Sequence, residues 1–292
     1  MMQAAQVDKL TGQLTQIVLS RLQEGRLVLP SPPTVVAKCL QMLKSPDFQA
    51  KKLIAQVEVD PVLAAIILRE ASAASHGNAV KALEPAVARL GSDKLKSVVM
   101  TYATHELFES YDSKIKAANK KIWEHSVACA LLARDLAAFS GNSDGDACYL
   151  GGLLHDVGKP VLAGMMLEAE RKFGTAKSGW MDHAMWTQAV ATMHRKIGVA
   201  VAEAWNLAPE VTAAIRDCSD YDAGDRSCAA NVVRLANALA KREGFSTETL
   251  DPVAMDDVEA MIMVGRSMLG MDADVLTRLA SGLKARVAQV VD

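Results

Sequence analysis

Strict alternation of apolar and polar residues, the pattern of a half-buried strand, is nearly absent from this chain, whereas apolar residues recur at helical spacing from end to end. Ala, Leu, Met and Lys are plentiful and aromatic residues make up only 4%, a composition that favours helix over sheet. The fold class expected is therefore all-α. Proline and glycine mark the breaks. An amphipathic helix is expected over residues 5–24, stopping near Gly25, and "LPSPPTV" interrupts the chain, because Pro30, Pro32 and Pro33 cannot lie inside a helix. Helices then follow over 33–43 and 51–57. Asp60–Pro61 reads as an N-cap with Pro at the first helical position, opening a helix that runs to about 74 and ends at Gly77. Further helices are expected over 83–90, closed by Gly91, and from Ser92 to about 108. The polar stretch 109–121 reads as a subdomain boundary. Beyond it come helices over 122–139, the segment carrying "CYLGGLLHD", 159–172, 181–205, 209–217 and 226–242, and two more in the tail, "DDVEAMIMVGRSML" and "DADVLTRLASGLKARVAQVV".

Charge and cysteine content narrow the function classes. The net charge is -2 and the pI 6.3, so no basic excess draws nucleic acid or an anionic membrane surface. Proteins and small molecules are the expected partners. Five scattered cysteines without a C-x-x-C pair argue against a disulfide framework and a structural zinc site, and fit a reducing cytoplasm. The N-terminal segment has no continuous apolar stretch of the signal-peptide kind, and no run approaches the length of a membrane span.

The stretch "GLLHDVGK", residues 152–159, holds the most concentrated chemistry. His125 lies on an apolar-rich helix, and His155 lies thirty residues later at the end of the next strong helix. Two packed antiparallel helices could point both imidazoles into one pocket. Neighbours on a straight helix diverge by about 100°, so His155 and Asp156 can share a site only where the helix ends. Gly158 is expected to supply that end by adopting the left-handed cap conformation. Imidazole and carboxylate suit Zn, Mn or Fe. Lys159 could then pair with a substrate phosphate or with Asp156. A metal-free reading stands beside this one: a buried His–Asp pair stabilising helix packing, or a helix-end cap with Lys159 as partner.

His125 and His155–Asp156 match the first ligands of the "H…HD…D" signature, so the chain resembles the HD superfamily of metal-dependent phosphohydrolases. Four ordered blocks resemble its HDOD branch, the HD-related output domain: "LPSPPTVVAKCLQML", "VDPVLAAIILREASAASHG", "ALEPAVARLGSDKLKSVVM" and "HRKIGVAVAEAWNLAPEVTAAI". Together they cover about residues 27–240. The resemblance implies an HD-like helical bundle at 115–245 with a smaller N-terminal helical subdomain at 27–110, flanked by a helix in 1–26 and helices in 250–292, packed as one compact unit. It implies a metal set of His125, His155, Asp156 and His194, weak or vestigial. Asn237 stands where the superfamily has its last Asp ligand, and Asp217 and Cys218 stand where dinuclear relatives have a His-His pair. One carboxylate then remains where two would neutralise a divalent ion. The function implied is non-catalytic bacterial signal transduction, through contacts with signalling proteins or a small nucleotide-like ligand, with a homo-oligomer compatible. No cofactor is firmly implied beyond a weakly held Mn, Fe, Zn or Mg. The alternative is a metal-dependent phosphohydrolase acting on a nucleotide or phosphoester, with Asp156 and Lys159 as catalytic residues and Lys159 or Arg195 steadying the phosphate.

Overall fold

The structure is a computed structural model that describes residues 29–74, 79–141, 144–173, 183–248 and 250–291, with Gln16, Val18, Ser20 and Glu24 before them. Most of the helix expected over 5–24, the stop at Gly77 and the start at 181 lie outside the described residues. Every regular element among the described residues is an α-helix. The chain divides into two compact units: Ser31–Glu106, and the chain outside that span.

The Ser31–Glu106 unit holds four helices. Helix α1 (Thr34–Lys44) begins straight after the proline break, and its buried Val36, Cys39 and Leu43 form one stripe at 3–4 residue spacing. Helix α2 (Ala50–Val57) buries Leu53 and Val57. Helix α3 (Pro61–Ala73) opens on the expected cap: the Asp60 carboxylate accepts from the Val62 and Leu63 amides, each at 3.1 Å. A cap of this kind stabilises a helix by about 1 kcal/mol. The other Asp60 oxygen accepts from the Tyr102 hydroxyl at 2.8 Å, which ties α3 to α4 (Leu83–Glu106). Helix α4 bends at Gly91, whose φ of 72° is open to glycine at little cost.

The second unit is built around α5 (Ser113–Ser140). This helix starts well before the expected residue 122. Its first turns carry no apolar stripe for a periodicity reading to detect. Asp112 starts it by accepting from the Ile115 amide at 3.1 Å, and Asn119 donates to the Phe108 carbonyl at 2.9 Å. From Val127 to Ala130 every residue is buried, as a central helix requires. The surrounding helices are α6 (Gly145–Leu154), α7 (Gly158–Phe173), α8 (His183–Ala204), α9 (Pro209–Asp217), α10 (Ala229–Arg242), α11 (Pro252–Met268), α12 (Ala273–Ala280) and α13 (Leu283–Val291). Helices α6, α10, α12 and α13 all pack on α5. The tail segment expected to form one helix over 272–291 is two, divided at Gly282 with φ of 73°. Its apolar period continues across that glycine, so periodicity alone does not reveal the turn.

Candidate functional site

The site sits where α5 meets the junction of α6 and α7. Two glycines set its dimensions by steric necessity. A Cβ at Gly152 would lie 2.9 Å from the Ala130 Cα and from the Cys129 carbonyl oxygen. Helix α6 therefore presses directly onto the α5 backbone, one turn beyond His125. A Cβ at Gly158 would overlap the His194 carbonyl and lie 2.9 Å from the Gly198 nitrogen. This corrects the expected role of Gly158. It opens α7 instead of closing α6, and it is absent from the residues with positive φ. The position excludes a side chain because α8 crosses it in backbone contact. Helix α6 ends at Leu154, and the turn through His155–Val157 places His155 and Asp156 in one pocket.

The imidazoles are oriented by main-chain acceptors. His125 Nδ1 lies 2.7 Å from the Phe245 carbonyl oxygen, and His155 Nδ1 lies 2.7 Å from that of Gly152. His194 Nδ1 lies 2.8 Å from the Val190 carbonyl and 3.2 Å from that of Ala191. Carbonyl oxygens only accept, so each Nδ1 donates. In a neutral ring Nε2 then carries a bare lone pair, the tautomer suited to ligation. The rings are held neutral. Burial, and then the neighbouring His155, lowers His125 to about 3. Burial likewise lowers His155 and His194.

Three electron-rich atoms consequently face one another. The Nε2 atoms of His125 and His155 are 3.3 Å apart, and Asp156 Oδ2 lies 3.5 Å from His155 Nε2 and 4.0 Å from His125 Nε2. His194 Nε2 approaches the other carboxylate oxygen at 3.7 Å. His125, His155 and Asp156 each offer one ligand atom within 4.8 Å of the others, so the trio could hold a metal ion. Asp156 is only 4% exposed. Burial pushes its carboxyl up, but the charge beside it, the Lys159 ammonium, outweighs that and holds it well below the usual carboxylate range. Lys159 Nζ stands 2.6 Å from Asp156 Oδ2. This contact with Asp156 is one of the two expected for Lys159.

The remaining expected residues divide. Asn237 Oδ1 is buried and has no hydrogen-bond partner among the described residues. Arg195 donates from Nη1 to Cys218 Sγ at 2.9 Å, and Asp217 takes a two-pronged ion pair from Arg216 at 3.0 Å. Neither Cys218 nor Asp217 joins the His–His–Asp cluster. Sequence reasoning missed Lys241. It lies one turn beyond Asn237 on α10, and its ammonium is lowered by burial and then by Lys159, with Asp156 opposing. The i, i+4 spacing in "NALAK" was the available signal. It also missed the Phe245 carbonyl, for which a sequence carries no signal.

The donor atoms suit a divalent ion in kind, but the charge does not. The one carboxylate of the cluster is already paired with an ammonium, and a second ammonium lies within its field. The residues present do not fit a tightly held catalytic metal.

An all-α core with a His–His–Asp cluster at a helix junction defines an HD-like helical protein. The chain belongs to the HDOD domain family, whose profile matches residues 29–221. Its fold is shared by a candidate metal-dependent phosphohydrolase of Shewanella amazonensis SB2B, with a TM-score of 0.72 and 22% identity over 95% of this chain and 99% of that one. An HDOD domain protein of unknown function from Geobacter sulfurreducens gives 0.65 and 24%, covering 94% and 97%. A candidate signal transduction protein of Marinobacter aquaeolei VT8 gives 0.59 and 22%, covering 92% of this chain and 61% of that one. An uncharacterised protein of Treponema pallidum (strain Nichols) is 24% identical over 216 residues, 72% of this chain. The chain spans 40% of the length of that relative. No helix among the described residues is long and apolar enough to cross a membrane.

Proposed function

We propose that this chain is a regulatory HDOD module of bacterial signal transduction, cytoplasmic and non-catalytic, acting through contacts with other signalling proteins. Its His–Asp pocket serves as a structural polar core or as the seat of a small nucleotide-like ligand. One observation carries the reading: the only carboxylate of the cluster is engaged by Lys159 at 2.6 Å. A hydrolytic centre of this superfamily needs an ion that activates water at an open position. Here the group that would anchor such an ion is already neutralised. The module is expected to act without nucleic acid, in keeping with a net charge of -2.

A second reading, a metal-dependent phosphohydrolase acting on a nucleotide or phosphoester, draws support from the three histidines tied through Nδ1, which leave Nε2 lone pairs directed at Asp156. One experiment separates the two. The chain is purified without added metal, then assayed for cleavage of bis(p-nitrophenyl) phosphate with and without Mn2+. The regulatory reading expects no metal-dependent cleavage. Cleavage that requires added Mn2+ and vanishes in His155→Ala would replace it with the hydrolase.

A further inference from the structure

This inference rests on the regulatory reading and concerns what stands in place of the cation. We propose that Lys159 is a tethered cation: its ammonium takes, on Asp156, the charge position a divalent metal would need. The His125–His155–Asp156 cluster is thereby metal-excluding as it stands, and becomes a metal site once Lys159 is neutralised.

The choice of oxygen is the first argument. Lys159 Nζ contacts Oδ2, the same atom that faces both His155 Nε2 at 3.5 Å and His125 Nε2 at 4.0 Å. An ion bridging the two imidazoles and the carboxylate would have to use that oxygen or displace the ammonium from it. The second argument is rigidity. Lys159 lies in the first turn of α7, its amide donates to the Asp156 carbonyl at 2.9 Å, and its side chain is only 21% exposed. The preceding Gly158 is pressed against the His194 backbone. The ammonium is thus delivered by a constrained turn, unlike a lysine that samples solvent. Its position is set by the same turn that orients Asp156.

Charge is the third argument. A divalent ion beside Lys159 meets twice the repulsion of a monovalent one at the same distance, in surroundings where screening is weak. Lys241 adds a second ammonium that senses both Lys159 and Asp156. Against these stands the one carboxylate of the cluster, Asp156. The imidazole lone pairs are oriented for ligation, so charge rather than orientation keeps the metal out.

The test uses the full chain and Lys159→Met, which keeps most of the unbranched apolar stem of the side chain and removes its charge. Both are stripped with a chelator and titrated with Mn2+ or Zn2+, reading bound metal per chain by mass spectrometry and the melting temperature. The wild type is expected to hold little metal and to melt at the same temperature throughout. Lys159→Met should take up a metal with affinity raised about tenfold or more, because a like charge beside the ion is removed. Its melting temperature should rise on loading, and Lys159→Met combined with His155→Ala should abolish both effects. Lys159→Arg keeps the charge and should behave as the wild type. If Lys159→Met does not fold, Lys159→Gln is read in the same way. A folded neutral variant that takes up no metal overturns the proposal, as does a wild type that binds as tightly as the variant. A wild type that holds metal yet cleaves no ester would sink this inference and leave the regulatory reading in place. Metal-loaded wild type that cleaves ester would sink both.

Discussion

Two polar regions of the unit built around α5 treat negative charge in opposite ways. At the α6–α7 junction a single buried carboxylate, Asp156, is shared by three imidazoles and an ammonium. A hollow of about 540 Å³ elsewhere in the unit is lined by five acidic residues, Asp144, Glu210, Asp217, Asp222 and Asp225. Asp144, Asp217 and Asp222 among them are engaged locally. Asp144 caps α6 through the Ala147 amide at 2.7 Å, Asp217 pairs with Arg216, and Asp222 accepts from the Gly224 amide at 2.7 Å. The region rich in carboxylate is open to water, which screens each charge. The region with one carboxylate is buried, and there that charge governs its neighbours. Desolvation, more than the number of acidic residues, decides where an ion pair matters.

The sharpest way to break this contrast is to remove Asp156. Asp156→Ala leaves the Lys159 ammonium half-buried without its partner, and loss of one member of such a pair is expected to destabilise by about 3–5 kcal/mol. Urea unfolding of the two proteins measures it. An effect under about 1 kcal/mol would place Asp156 with the surface acids. Next comes the packing that makes the pocket. Gly158→Ala drives a methyl into the His194 backbone, and overpacking of this kind costs about 1–3 kcal/mol or more. The same denaturation curves report it, with the mutation expected to shift the midpoint and leave the slope unchanged.

Acid should then separate the regions without mutation. His125 is held at about 3 in the folded chain against an ordinary 6.5. A lowered histidine favours folding fully above 6.5, and that advantage is lost as pH falls from 6.5 towards 3, because the unfolded chain takes up the proton first. Asp156 is also lowered, so its own contribution is full above 3.8 and declines only below that value. Melting temperatures are therefore expected to fall by several degrees between pH 7 and pH 4.5, and His125→Gln should flatten that slope. An unchanged slope in the variant would mean that the pocket does not carry the acid sensitivity. The smallest effect belongs to the hollow. Asp217→Asn removes an exposed ion pair and should change stability by less than about 0.5 kcal/mol, which thermal unfolding at neutral pH can check.

How much of this was legible beforehand varies by element. Caps and breakers act locally, so Asp60–Pro61 and Gly91 could be placed from a few adjacent residues. Helix α5 was truncated in the reading because its first turns are polar, and α12 and α13 were merged because Gly282 interrupts no apolar stripe. Among the site residues, His125, His155 and Asp156 carry their chemistry in their identity and spacing, and the HDOD blocks around them form an ordered pattern. Gly158 was legible as a glycine, yet its reason was not, since the atom it must avoid belongs to His194 on another helix. Lys241 was unremarked because only folding brings it into the electrostatic field of Lys159 and Asp156.

By itself, then, the order of residues determined an all-α chain, its HDOD membership, and which imidazoles and carboxylate were available to form a site. Those follow from side-chain type and short-range periodicity, which no folding event alters. Tertiary structure alone decided that the Nδ1 hydrogens would be spent on the carbonyls of Phe245, Gly152, Val190 and Ala191, and that the Lys159 ammonium would settle on the oxygen facing two imidazoles. Hydrogen-bond tautomers and ion-pair partners depend on which atoms the packing of α5, α6, α7 and α8 brings within about 3 Å, and only the folded backbone fixes that distance.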